Sequence, residues 1–192
     1  CVASYSVGDY ICCLVVKLDR QELHLVDPHS LQTISSLEIE RTKIPQNFTD
    51  PKELAKITGV YAYTDRDNNV IVAGADGRVK CYNITEGSII LKKDINYHLP
   101  DMKFTAVIPD FNGNMWFTTR NGIVGIKNSK LNDINYVTLT NESIEKSFSI
   151  NKHNVAYVVT DKALYALTYN DNRIKILWTF HYNLLNKISS EG

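Results

Sequence analysis

No apolar run in these 192 residues is longer than six, at 11–16 (ICCLVV), far short of the roughly 20 that a helix needs to cross a bilayer. A helical membrane span is therefore not expected. Neither sign of charge is in excess: 21 Lys and Arg stand against 21 Asp and Glu. The basic surplus that displaces counterions from phosphates is missing, so nucleic acid is not an expected partner. Cysteine is sparse, at positions 1, 12, 13 and 81, and forms neither a CxxC metal knuckle nor a dense disulfide framework. The five histidines (His24, His29, His98, His153, His181) show no i, i+2 or i, i+4 pair, so zinc is not indicated. A G-x-S-x-G elbow and a P-loop are absent, and no catalytic residue is named from sequence. The sequence starts at Cys1 with neither an initiating Met nor a basic region followed by an apolar core. A processing boundary is expected there, which leans the compartment towards an extracytoplasmic or secreted one. Three Asn-x-Ser/Thr sequons occur (Asn47, Asn83, Asn141), about the number that 18 Asn and 26 Ser and Thr give by chance, so they signal no glycosylation.

What is present is an ordinary soluble composition, 44% hydrophobic, 10% aromatic and 22% charged, long enough for one sizeable core. Apolar residues alternate with period two, as in strands whose side chains point to opposite faces. Segment 174–182 is an example: Ile174, Ile176, Trp178, Phe180 and Tyr182 lie on one side, which is expected to be buried, and Lys175, Leu177, Thr179 and His181 on a mixed side. Turn signals recur every 8 to 12 residues, the density of an all-β fold. The segments 69–78 (NVIVAGADGR), 114–123 (NMWFTTRNGI) and 154–163 (NVAYVVTDKA) repeat one another, each leading into a short apolar strand, with a degenerate copy at 11–26. Their turns lie 45 and 40 residues apart, and 57 where an insertion intervenes, periods that suit one four-stranded propeller blade. The expected fold is thus all-β: an antiparallel β-propeller with about four blades, at 1–40, 58–98, 103–140 and 145–182, forming part of a larger ring. Asp50, Pro51 and Glu53 suit the cap, first and third positions of one short helix near 50–57 in the insertion. The open sheet edges of a half ring call for closure by an N-terminal strand near 2–5, for self-association, or for further blades on another segment.

The run DFNGNMWFTTRNGI at 110–123 resembles the blade motif of sensor-type and lyase-type propellers. ALYAL at 163–167, followed by ILW at 176–178, is similar to the repeat of PQQ-like (quinoprotein-type) propellers, with Thr168 in place of its Asp and Asp171-Asn172-Arg173 in place of its Thr-Gly. Such propellers include both binding modules and enzymes. Because repeat rings present broad loop faces and no catalytic set is visible, the expected function is a non-catalytic, WD40-like binding or interaction module; the alternative is a PQQ-like or lactonase/lyase-type enzyme with its site in a central channel. PQQ and Ca²⁺ would be the cofactors of that alternative, and none is otherwise expected.

Quinoprotein alcohol dehydrogenases carry a vicinal disulfide against the cofactor, which draws attention to Cys12-Cys13. Inside an apolar strand, however, the pair reads as small buried side chains on opposite faces. Asp110-x-Asn112-Gly113-Asn114 and Asp65-x-Asp67-Asn68-Asn69 are rich in oxygen, as a calcium loop is, but lack the closing Glu and suit tight turns. The constellation singled out lies in the turns between the second and third strands, which hold a cation in every repeat: Arg20, Arg78, Arg120 and Lys162. On a propeller these turns share one rim. The four are expected to form an arc, partly neutralised by Asp19, Asp76 and Asp161, that meets a protein or a small anionic ligand through charge-assisted hydrogen bonds.

Overall fold

The computed structural model describes residues 3–17, 20–39, 62–65, 67–74, 77–97, 104–130 and 133–182. The helix expected near 50–57 lies outside these residues. Among them there is no α-helix, and sixteen strands form four separate antiparallel sheets of four, each a simple meander in chain order. Sheet 1 holds β1 (Ala3–Val7), β2 (Tyr10–Val16), β3 (Gln21–Val26) and β4 (Thr33–Ile39). Sheet 2 holds β5 (Ala62–Thr64), β6 (Asn69–Ala73), β7 (Arg78–Thr85) and β8 (Ser88–Asn96). Sheet 3 holds β9 (Phe104–Pro109), β10 (Met115–Thr119), β11 (Ile123–Lys127) and β12 (Ile134–Thr138). Sheet 4 holds β13 (Ser149–Ile150), β14 (Ala156–Val159), β15 (Ala163–Asn170) and β16 (Arg173–His181). The repeats foretold this arrangement. The N-terminal strand does not close a later sheet: β1 pairs with β2, with Tyr5 opposite Cys12. The chain divides into two compact units, Cys1–Val107 and Ile108–Gly192.

The turns between first and second strands show how sequence sets register. In sheet 3, Asp110 Oδ1 accepts the backbone N–H of Asn112 (2.8 Å) and Asn114 (2.9 Å), and Gly113 takes a φ of 82°. Sheet 2 repeats this, with Asp65 Oδ1 accepting Asp67 N–H and Asn69 N–H, both at 2.9 Å, and Asn68 at φ 57°. Sheet 4 does the same with Asn151, His153, Val155 and Asn154 at φ 59°. An Asp or Asn that caps N–H groups two and four residues on, followed by a residue that tolerates positive φ, builds a short hairpin turn without help from elsewhere. Asp110 Oδ2 also accepts Asn114 Nδ2 and Trp116 Nε1, so both carboxylate oxygens serve the turn.

Each sheet has two faces: within each unit, forward is the face that the first sheet turns to the second and the face of the second sheet that is opposite this contact, and backward is the other face of each. In sheet 1 the cross-strand pairs Cys12–Leu25 and Leu14–Leu23 form the forward face, fully buried against Val70, Val72 and Tyr82 on the backward face of sheet 2. Removing each such side chain from water contributes about 1.5–3 kcal/mol. The equivalent pairs Ile71–Cys81 and Ala73–Val79 of sheet 2, and Trp116–Ile126 and Thr118–Val124 of sheet 3, are buried too. In sheet 4 the backward face (Ala156, Val158, Tyr165, Leu167) is buried, and Tyr169 Oη accepts a hydrogen bond from Asn128 Nδ2 of sheet 3 at 3.3 Å.

The expectation of one buried side for 174–182 is corrected here. β16 is an outermost strand, exposed along nearly its whole length. A register shift between Ala166 and Leu167 breaks its alternation: Trp178 and Phe180 pair with Ala166 and Leu164, whereas Ile176 and Ile174 pair with Leu167 and Tyr169 on the other face. The third-to-fourth strand pairing shifts likewise in sheets 1 and 2.

In sheet 3 the ring of Phe117, fully buried, lies over Gly125, its cross-strand partner; a Cβ there would sit 2.1 Å from Cζ of the ring. Gly125→Ala is expected to cost about 1–3 kcal/mol in urea unfolding, as overpacking does. Phe117→Leu in the same chain should recover part of that loss; equal midpoints for Gly125→Ala and the parent would contradict the packing described.

Candidate functional site

The turns between second and third strands are closed by backbone bonds: Lys17 N–H to Arg20 O (2.8 Å), Gly74 N–H to Arg78 O (2.7 Å), Gly122 N–H to Thr119 O (3.2 Å) and Thr160 N–H to Ala163 O (2.8 Å). Asp19 and Asp76 fall outside the described residues.

In the first unit each cation of the expected arc meets a carboxylate of its own sheet. Arg20 Nε donates to Glu22 Oε1 at 2.6 Å, and the same carboxylate is held by Lys17 Nζ (2.7 Å to Oε2) and His24 Nε2 (2.7 Å to Oε2). These bonds, first from Arg20, then Lys17 and His24, hold the Glu22 carboxyl at about 2, below its ordinary value, against an opposing contribution from burial. Arg78 Nε donates across the β7–β8 pair to Asp94 Oδ1 at 2.9 Å, which holds Asp94 below the usual carboxylate range.

In the second unit, 139–144 fastens two of these turns to each other. Leu139 N–H donates to Gly122 O (2.8 Å) and Ile144 N–H to Arg120 O (3.2 Å). Gly122, at φ 80°, sits so close that a Cβ would lie 2.6 Å from both Leu139 O and Glu142 O. On the other turn, Asp161 N–H donates to Ser143 O (3.0 Å), Ser143 N–H donates to Asp161 Oδ1 (2.7 Å), and Lys162 Nζ donates to Asn141 O. Glu142 accepts from Thr160 Oγ1 and from Tyr165 Oη, both at 2.6 Å. Burial, then the Glu142 bond and charge, push the Tyr165 phenol up to about 12. Arg120 and Lys162 are thus brought onto one braced strip of backbone, while Asp161 braces that strip through its carboxylate.

Sequence reasoning passed over Glu22, Asp94 and Glu142. Arg20, Glu22 and His24 stand at i, i+2 and i+4, the spacing that places side chains on one face of a strand, so that cluster was open to discovery. Glu142 sits in an irregular connection with no motif around it. Cys12 and Cys13 are free thiols on opposite faces of β2 rather than a disulfide; Cys12 is buried, and its thiol is pushed up to about 12, chiefly by burial. Among the described residues, no three His, Cys, Asp or Glu gather as a metal site and no helix is long and apolar enough to cross a membrane.

No family model matches the chain, and no curated protein matches it. Solved structures do. A streptogramin B lyase is 14% identical with a TM-score of 0.60, over 89% of this chain and 51% of its own. The β-propeller domain of Myceliophteria thermophila Cps50 (Swd1) is 13% identical with a TM-score of 0.61, over 93% and 56%. The WD40 domain of Toxoplasma gondii coronin is 16% identical with a TM-score of 0.61, over 90% and 43%. The fold is that of a β-propeller, and the chain spans about half the length of the propellers it matches.

The Glu22 cluster makes stability depend on pH in a defined window. Because the folded carboxyl titrates near 2 and the unfolded one near 4.5, its contribution is complete above about 4.5 and disappears as pH falls towards 2. Urea midpoints measured from pH 7 down to 2 should therefore fall less steeply below 4.5 in Glu22→Gln than in the parent. Parallel curves would show that the cluster does not hold the carboxylate.

Proposed function

We propose that this chain belongs to a non-catalytic propeller module whose partner, a protein or a small anionic ligand, docks on the turns between second and third strands, with Arg20, Arg78, Arg120 and Lys162 as the contacting cations. The observation that carries this reading is the bracing of those turns in the second unit, where 139–144 locks two of them before any partner arrives. A surface ordered in advance loses less conformational entropy on binding. The intramolecular pairs do not forbid the role equally. Arg78 is 38% exposed beside an exposed Asp94, and a surface pair of that kind contributes about 0–1 kcal/mol, so exchange for an anion costs little. Arg20 is held differently, because its release would take from Glu22, whose side chain is only 12% exposed, one of the three charged partners that hold it. The larger share of recognition therefore falls to Arg78, Arg120 and Lys162.

A second reading, an enzyme of the PQQ-like or lactonase/lyase propeller type, draws support from the streptogramin B lyase among the structural matches. Two titrations separate the readings. A polyglutamate peptide, as an anionic probe, should bind more weakly as salt rises, and Arg78→Glu with Arg120→Glu should weaken it about tenfold, roughly 1.4 kcal/mol. Unchanged affinity removes the cationic turns from the reading. PQQ with Ca²⁺ should leave the melting temperature unmoved; the PQQ-like form of the enzyme reading instead requires about 2.7 kcal/mol of added stability with ligand at 100 times its Kd.

A further inference from the structure

We infer that the forward face of sheet 4 is a docking surface for a further four-stranded sheet supplied by the same polypeptide. The pairs Tyr157–Ala166 and Val159–Leu164 occupy the positions that are buried in sheets 1, 2 and 3. In sheet 4 only Ala166 of these four is buried: Val159 is 45% exposed, and Trp178 and Phe180, paired with Ala166 and Leu164, are 46% and 41% exposed. Trp178 leans on Tyr157 at a ring separation of 6.1 Å, so the face is an assembled aromatic surface. Contiguous apolar exposure of this kind marks a surface that meets another.

Two observations select the occupant. The propellers that this chain matches continue for about as many residues again, so a sheet next in sequence is what stands beside the corresponding position in that fold. A second copy stacked head to tail would offer the half-open backward face of its own sheet 1, and that face carries Glu22 with Lys17, Arg20 and His24. Pressing an ion cluster against Trp178 and Phe180 would strip its water without supplying partners. The fitting occupant has an apolar backward face, like the Val70, Val72 and Tyr82 face that sheet 2 offers to sheet 1. The inference rests on the fold and not on the cationic turns, so the peptide titration above can fail without touching it.

The test uses the full-length polypeptide that carries these residues. Val159→Cys and, as an exposed reference on the same sheet, Lys152→Cys are alkylated with iodoacetamide and the products located by peptide mass mapping. Val159→Cys should react at least tenfold more slowly than Lys152→Cys at every protein concentration. Equal rates overturn the inference, because the face is then open to solvent. Slowing that vanishes on dilution also overturns it, since a second molecule is then the cover. Acrylamide quenching gives an independent reading when the emission lost in Trp178→Phe is followed: if that component resists quenching in the unsubstituted protein, Trp178 is covered, and if it is readily quenched the inference is overturned.

Discussion

A four-stranded meander with apolar residues on both faces cannot stand in water alone, and every other feature of this chain follows from that constraint. A face such as Cys12, Leu14, Leu23 and Leu25 has no internal partner; its burial depends on Val70, Val72 and Tyr82 of the next sheet. Since isolated hairpins are marginal and each buried side chain contributes only about 1.5–3 kcal/mol, stability accumulates from sheet to sheet, as in other repeat architectures. The repeat period in the sequence is the length of chain needed to make one such two-faced layer.

Covering both faces demands strict register, because a slip of one residue moves every side chain to the wrong face. The Asx turns supply it locally. Asp110 fixes the turn between β9 and β10 through Asn112 and Asn114, and its second oxygen reaches Trp116 Nε1, the largest side chain on the forward face of sheet 3. Turn chemistry and face chemistry are thereby joined in one residue. This also accounts for the oxygen-rich appearance of 110–114 and 65–69: those oxygens accept N–H groups of their own turn.

The sheets and their number were legible in the sequence because strand period, turn residues and repeat length are all local or self-similar signals. The outermost strand at 174–182 was misread for a physical reason: the register shift opposite Ala166 and Leu167 depends on the partner strand, and alternation along one strand cannot reveal it. The candidate turns were found by superposing repeats, yet their present partners were not. Asp94 comes from sixteen residues beyond Arg78, and Glu142 reaches Thr160 and Tyr165 from a connection without periodicity. Contacts of that kind arise only when layers stack.

If the faces of the strands are committed to neighbouring layers, recognition must come from the turns, and the two sets of turns are not equivalent. Those between first and second strands use their Asp and Asn side chains on their own backbone, and Asn154 Oδ1 additionally accepts Phe111 N–H from the neighbouring turn. Their polar groups are largely satisfied. In the second unit the turns between second and third strands are instead held from outside, by backbone bonds from 139–144 and by Glu142, so the backbone of those two turns is fixed by more than the cations they carry. Lys162 can exchange an internal acceptor for an external one while the turn beneath stays fixed. That separation of shape from charge is what a binding surface requires, and it is why the cationic turns, and not the acidic ones, are assigned the partner.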